Sequence, residues 1–150
     1  MRVLVTGSRD WDRQDVVDGV LDIIAQNAAA IGDDEMVVVH GACFPRPRDG
    51  VLPKESADYL ADLWVRRGGH PLPVRPERHP AKWSKYGRRA GPLRNEHMVS
   101  LGADVCVAFL RNNSEGTSGC MRLAERAEIH VQPLIYEELP PAGSLPERAS

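Results

Sequence analysis

Gly116 and Thr117, in the run Phe109-Leu-Arg-Asn-Asn-Ser-Glu-Gly-Thr-Ser-Gly-Cys120, are the residue types that hold an anion. They lie between an apolar run, residues 103–109, patterned as a buried strand, and a run from Thr117 to Ala127 patterned as a helix. A glycine at such a junction lets a ligand approach the backbone closely. The unpaired N–H groups of the first helical turn and the Thr117 hydroxyl then face that ligand. A second junction of the same kind stands near the N-terminus. There the short apolar strand Arg2–Thr6 runs into Gly7-Ser8-Arg9 before another helical pattern begins. Arg9 adds a guanidinium fork suited to phosphate or carboxylate. No GxGxxG follows the first strand, which disfavours a dinucleotide held for hydride transfer, and the absence of GxxxxGK[ST] excludes nucleotide hydrolysis of the P-loop type.

The elements that must position these groups alternate along the chain. Strands are predicted at 2–6, 36–39, 71–74, 103–109 and 129–135. Helical spacing links them: Val16, Val17, Val20, Leu21, Ile24 and Ala28; a helix from about Glu55 that ends at Gly68-Gly69; one over Gly91–Leu101; and one over Thr117–Ala127. The prolines of the third strand suit a sheet edge. This alternation predicts a Rossmann-like, doubly wound parallel α/β sheet of about five strands in three layers, with the order 3-2-1-4-5. Strands one and four are then neighbours where the winding reverses, and ligands bind there beyond the carboxyl ends of the strands. The two glycine junctions fall in one crevice, bordered by His40-Gly41 after strand two.

Residues 75–94 carry Arg75, Arg78, Lys82, Lys85, Arg88, Arg89 and Arg94 against Glu77, interleaved with Trp83 and Tyr86. Either this is a solvated basic loop, or it spreads a positive field over the crevice. A stacking platform for single-stranded nucleic acid is a third use. The formal net charge of −2 weighs against a protein that coats nucleic acid. His40 and Cys43 have ligand-like spacing, but no further ligands stand at matching distances, so no metal and no cofactor is expected. Three cysteines without a CxxC pair fit reduced thiols, with Cys106 in the core. Trp64 and Met98 sit at helical spacing among apolar residues and are read as packing.

At 150 residues the chain is read as one domain over 1–138, with an inserted loop at about 43–54 and a flexible Pro-rich tail at 139–150. No stretch is apolar enough to span a bilayer and no signal peptide is evident, so a cytoplasmic protein without a membrane partner is expected.

Val3-Leu-Val-Thr-Gly-Ser-Arg-Asp-Trp11, His40-Gly-Ala42, Ala90-Gly-Pro-Leu-Arg-Asn-Glu-His-Met98, Gly102-Ala-Asp-Val-Cys-Val-Ala-Phe109 and Ser114-x-Gly-Thr-x-Gly-Cys120 together resemble the YspA/YpsA-related branch of the SLOG superfamily. The resemblance runs from the first residue to about Ile135. It implies a Rossmann-like fold and a nucleotide or nucleotide-derived ligand. The superfamily includes the Lonely Guy phosphoribohydrolases and the DNA-processing protein A group, which binds single-stranded DNA. In the phosphoribohydrolases an Arg-Lys-x-x-Met motif supplies a catalytic arginine; Arg94–Met98 is similar, with Asn95 replacing the lysine. Of their Pro-Gly-Gly-x-Gly-Thr-x-x-Glu motif only Gly116 and Thr117 match, and the glutamate falls on Cys120, which cannot do a carboxylate's work. Glu96 or Glu115 would have to substitute. A Gly-Ala-Asp that follows His40-Gly41 closely in the family corresponds here to Ser56-Ala57-Asp58, after a basic, proline-stiffened insertion that is a lid or a neutral surface excursion.

The expectation is therefore a phosphorylated nucleotide-like ligand held by Gly7, Ser8, Arg9, His40, Gly41, Asn95, Ser114, Gly116 and Thr117. Arg94 and Glu96 are the catalytic candidates if the N-glycosidic bond is hydrolysed. A ligand sensor without catalysis and a single-strand-binding module are the alternatives. The resemblance also implies a homodimer or higher homo-oligomer.

Overall fold

The computed structural model describes residues 1–136, so the tail expected at 139–150 lies outside the described residues. Five strands, β1 (Arg2–Gly7), β2 (Met36–His40), β3 (Val74–Arg78), β4 (Val105–Arg111) and β5 (Val131–Tyr136), form one parallel sheet in the order β3-β2-β1-β4-β5. Helices α1 (Gln14–Ala30), α2 (Ala57–Arg67), α3 (Trp83–Tyr86), α4 (Ala90–Ser100) and α5 (Glu115–Arg126) fill the connections. The doubly wound, three-layer α/β fold predicted from the sequence is the fold observed.

The period-two alternation of the central strands explains the layers. Val3 and Val5 of β1, Met36 and Val38 of β2, and Val107 and Phe109 of β4 pack on one face against Val17, Leu21 and Ala25 of α1 and Leu60, Ala61 and Trp64 of α2. Leu4, Val37, Val39 and Cys106 point the other way, against Met98 and Val99 of α4 and Cys120 and Ala124 of α5. Burial pushes the Cys106 thiol up to about 12, as suits a core residue.

The third strand lies later than predicted, at Val74–Arg78 rather than 71–74. Pro71 and Pro73 have no N–H to give a ladder; Pro73 instead accepts from the Met36 N–H at 2.8 Å, and pairing starts at Val74. This edge strand is polar because ion pairs, not apolar contacts, hold it. Arg75 pairs with Glu35, Glu77 with Arg2, and Arg78 with Asp62. The Arg2 guanidinium, with help from His79, holds the Glu77 carboxyl down at about 2. The short helix α3 and the 3-10 turn at Gly87–Arg89 were not foreseen within the basic segment.

β1 and β4 run side by side to their carboxyl ends, with Gly7 opposite Phe109. The Ser8 N–H then donates to the Phe109 carbonyl at 2.9 Å. The closeness of this corner demands a glycine. A Cβ on Gly7 would collide with the Ala57 side chain and stand 2.9 Å from the Phe109 carbonyl oxygen. Gly7 therefore serves packing of α2 against the strand ends. Overpacking of this kind costs roughly 1–3 kcal/mol. Gly7→Ala is expected to lower stability by about that much in urea unfolding; an unchanged midpoint would contradict the packing role.

Candidate functional site

The loops that follow β1, β2 and β4 surround a crevice of about 1300 Å³ at the carboxyl edge of the sheet. Gly7, Ser8, Arg9, Gly41, Asn95, Ser114, Gly116 and Thr117 all line it, together with Arg94 and Glu96. The two glycine junctions do meet, at the reversal of winding.

The N-terminus of α5 is open toward this space. Ser114 sits at its N-cap without a side-chain capping bond, and the first helical bond runs from the Ser118 N–H to the Ser114 carbonyl at 3.0 Å. Among the described residues the N–H groups of Glu115, Gly116 and Thr117 thus have no acceptor. The Thr117 hydroxyl donates to Ser114 Oγ at 3.1 Å, which leaves the Ser114 hydrogen for an acceptor in the crevice. A Cβ on Gly116 would meet nothing within 4 Å. Asn112 and Asn113, both at positive φ (50° and 54°), make the tight turn that brings the chain into α5.

Arg94 projects from α4 across the mouth of β2. Its guanidinium donates to the Gly41 carbonyl at 2.5 Å, to the His79 carbonyl at 3.2 Å and to Asn95 Oδ1 at 2.8 Å, and touches Cys43 Sγ at 3.7 Å. All of these are neutral, so the arginine is fixed in place without its charge being cancelled by a carboxylate contact. Gly41 is what admits it: a Cβ there would fall on the guanidinium.

Two expected contacts have other employment. The Ser8 hydroxyl is 2% exposed, accepts the Arg111 N–H at 2.9 Å and donates to the Arg111 carbonyl at 3.2 Å. It ties β1 to β4 instead of reaching for a ligand. His40 is fully buried. Its Nδ1 accepts the Ala42 N–H at 3.0 Å, so the hydrogen is on Nε2, 2.9 Å from Asp62. Asp62 also pairs with Arg66 and Arg78. Burial alone would raise this carboxyl, but the bonds from His40 and Arg78 prevail and hold it well below the usual range. His40 belongs to that structural knot, and neither of its nitrogens is left for a ligand or a metal.

Arg9 faces the crevice with its guanidinium 5.4 Å from the centroid of the Trp83 ring. Arg75 and Arg78, expected to add to the field over the site, are committed to ion pairs on β3 instead. Cys120 is fully buried against the sheet and is not among the residues that line the crevice. Glu96 and Glu115 lie exposed at the rim. The inserted segment borders the site through Cys43, Arg48 and Glu55, with Arg48 and Glu55 paired at 2.7 Å.

Sequence reasoning placed Asp58 only in the Ser56-Ala57-Asp58 motif and did not count it among the site residues. It is the buried carboxylate among those lining the crevice, 6% exposed, and its Oδ2 accepts the Cys43 N–H at 3.1 Å. Burial pushes this carboxyl above the usual range, against the pull of His40, the Cys43 N–H and Arg94. The signal was two aspartates, Asp58 and Asp62, one turn apart on the apolar face of α2. Arg122, three residues past Gly119 on α5, also lines the crevice and was not singled out.

The Gene 61 protein of Mycobacterium phage D29 is 42% identical to this chain over 134 residues, 87% of this chain and 93% of the phage protein. The chain belongs to the family of that protein. No protein-family model matches it, and no solved structure does.

A carboxyl whose folded pKa is raised contributes most stability below its unfolded pKa, and that contribution is lost as pH rises through the folded value. Asparagine keeps an acceptor for the Cys43 N–H and removes the charge. Asp58→Asn is thus expected to raise the unfolding temperature at pH 7–8, with the gain shrinking as pH falls through the raised folded value and gone by about pH 4, the unfolded one. Thermal unfolding across that range checks it; a lower unfolding temperature at neutral pH would contradict it.

Proposed function

We propose that this protein binds a nucleotide or nucleotide-derived phosphorylated small molecule in the crevice, as a member of the SLOG superfamily. The observation that carries the reading is the uncapped start of α5, three N–H groups beside the open flank of Gly116, in the same crevice as an arginine fixed by neutral partners. A phosphate there takes the N–H groups of Glu115 to Thr117 and the Ser114 hydroxyl. The partial positive charge of the helix end and the charges of Arg94 and Arg122 hold it further. The resemblance in the motifs at 3–11, 90–98 and 114–120 supports the same ligand class.

Of the two uses of such a pocket, ligand sensing without cleavage is the better supported. Cys120, at the position of the glutamate in the hydrolytic motif, is packed in the core, and Glu96 and Glu115 are solvated at the rim. Cleavage of the N-glycosidic bond would need a carboxylate at the reacting centre, and Asp58 is the buried one within the crevice.

Calorimetry with a panel of nucleoside monophosphates tests the binding reading. One charge-assisted bond is worth roughly 1.5–3 kcal/mol, so Arg94→Ala is expected to weaken binding about tenfold or more. Gly116→Ala should weaken it as well, by filling the approach, while leaving the fold intact. Equal affinity of the parent and Arg94→Ala would contradict the assignment. Incubation of the same nucleotides with the protein is expected to release no free base; release that Asp58→Asn abolishes would establish hydrolysis in place of sensing.

A further inference from the structure

Three tryptophans occupy contrasting settings. Trp11 and Trp64 are each 1% exposed, and their indole N–H groups are satisfied by the Arg13 carbonyl and by Asp22. Trp83 is 46% exposed and lines the crevice, with no hydrogen-bond partner for its N–H among the described residues. It is the first residue of α3, and its ring lies over the start of α4, where a Cβ on Gly91 would stand 3.2 Å from Cη2. A glycine at position 91 lets the indole come down closely on the helix, since a Cβ there would press on the ring. The Arg9 guanidinium, which comes from the β1 turn, stands over the ring 5.4 Å from its centroid. An aromatic surface of this size left half open in the crevice is an unusual use of a tryptophan. It has the properties of a stacking surface: flat, seated on the start of α4, next to a cation that also stacks on aromatic rings.

We infer that Trp83 is the seat of the ligand's base, which stacks on the indole beside Arg9 while the phosphate reaches the start of α5. The assignment rests on the crevice holding a nucleotide and adds which part of the ligand lies where. It places the selectivity for a base on the segment between β3 and α4. It also gives Arg9 a part in the base site rather than a phosphate contact. The indole N–H is left to donate to a ring nitrogen or carbonyl at the base's edge. A mononucleotide fits this layout better than a nucleic-acid strand, because of the exposed rings Phe44, Trp83 and Tyr86 only Trp83 lines the crevice, and the chain carries a formal net charge of −2.

The test compares nucleoside monophosphates with ribose 5-phosphate, which carries the phosphate and sugar without the base. Stacking of one base on an aromatic side chain contributes enough to change affinity by about tenfold or more. The parent protein is expected to bind its best nucleoside monophosphate at least tenfold more tightly than ribose 5-phosphate. Trp83→Ala should bring the nucleotide down to the level of ribose 5-phosphate and leave ribose 5-phosphate unchanged, whereas Trp83→Phe should keep most of the difference. Because Trp11 and Trp64 are buried, quenching of tryptophan emission by the nucleotide, absent with ribose 5-phosphate, reports on Trp83 directly. Circular dichroism of Trp83→Ala should match the parent, since the ring is not part of either core. Ribose 5-phosphate binding as well as the nucleotide, or a Trp83→Ala protein that keeps the nucleotide preference, would overturn the base seat and leave the phosphate site standing. Failure of both ligands to bind the parent would remove the nucleotide reading, and the seat with it. A short single-stranded oligonucleotide that binds more tightly than every mononucleotide, through Trp83, would overturn the assignment in favour of a strand.

Discussion

The Ser8 hydroxyl accepts the Arg111 N–H and donates to the Arg111 carbonyl, closing β1 onto β4 just beyond the last pair of the ladder. Everything at the carboxyl edge depends on that corner. Parallel strands need crossover connections, and a doubly wound sheet parts its crossovers to opposite faces where the winding reverses. Here the parting leaves α1 and α2 on one face and α4 and α5 on the other, with the crevice between them. The Ser8 bridge keeps the two turns at a fixed distance, so the start of α5 opens into the crevice and not against a neighbouring loop. A hydroxyl used in this way is unavailable to a ligand, and its burial makes the bridge hard to lose.

Three glycines around the crevice have different surroundings. Gly7 makes room for Ala57 and the Phe109 carbonyl and Gly41 for the Arg94 guanidinium, whereas Gly116 opens onto the crevice. Only the last keeps an open flank. The polar groups divide in the same manner. His40, Asp62 and Arg78 satisfy one another at the end of β2, and Arg111 is bound to the Asp10 carbonyl and close to Asp12. Arg94 differs because its partners are carbonyls, an amide and a thiol, which fix its position and leave its charge in force. Buried polar groups that satisfy each other give rigidity. At the start of α5 the N–H groups of Glu115, Gly116 and Thr117 have no acceptor among the described residues.

The sheet, its order and the meeting of the two junctions were legible because they follow from apolar periodicity and from the handedness of crossovers, which are properties of the pattern rather than of particular contacts. β3 was misplaced because its residues are held by charge pairs with Glu35, Arg2 and Asp62, partners up to 75 positions away, and an apolar pattern cannot register them. His40 and Ser8 read as site residues because each is a polar residue at the right edge of the sheet. Whether such a residue faces inward or outward is decided by who receives its hydrogen bonds. Asp58 was not counted as a site residue for the complementary reason: it lies on the apolar face of α2, yet it lines the crevice and accepts the Cys43 N–H. Trp83 stood out in the basic run, but its isolation from both cores became visible only once Trp11 and Trp64 were seen inside them.

The central physical claim is that the start of α5 is an anion seat. Amide chemical shifts report on it without any assumption about the rest of the ligand. In a nitrogen–proton correlation spectrum of the labelled protein, titration with inorganic phosphate is expected to move the Glu115, Gly116 and Thr117 resonances along one saturable curve. Gly102 and Asp104, at the opposite edge of the sheet, should stay still. Saturable shifts at other positions with these three unmoved, or no shifts at all, would contradict the account.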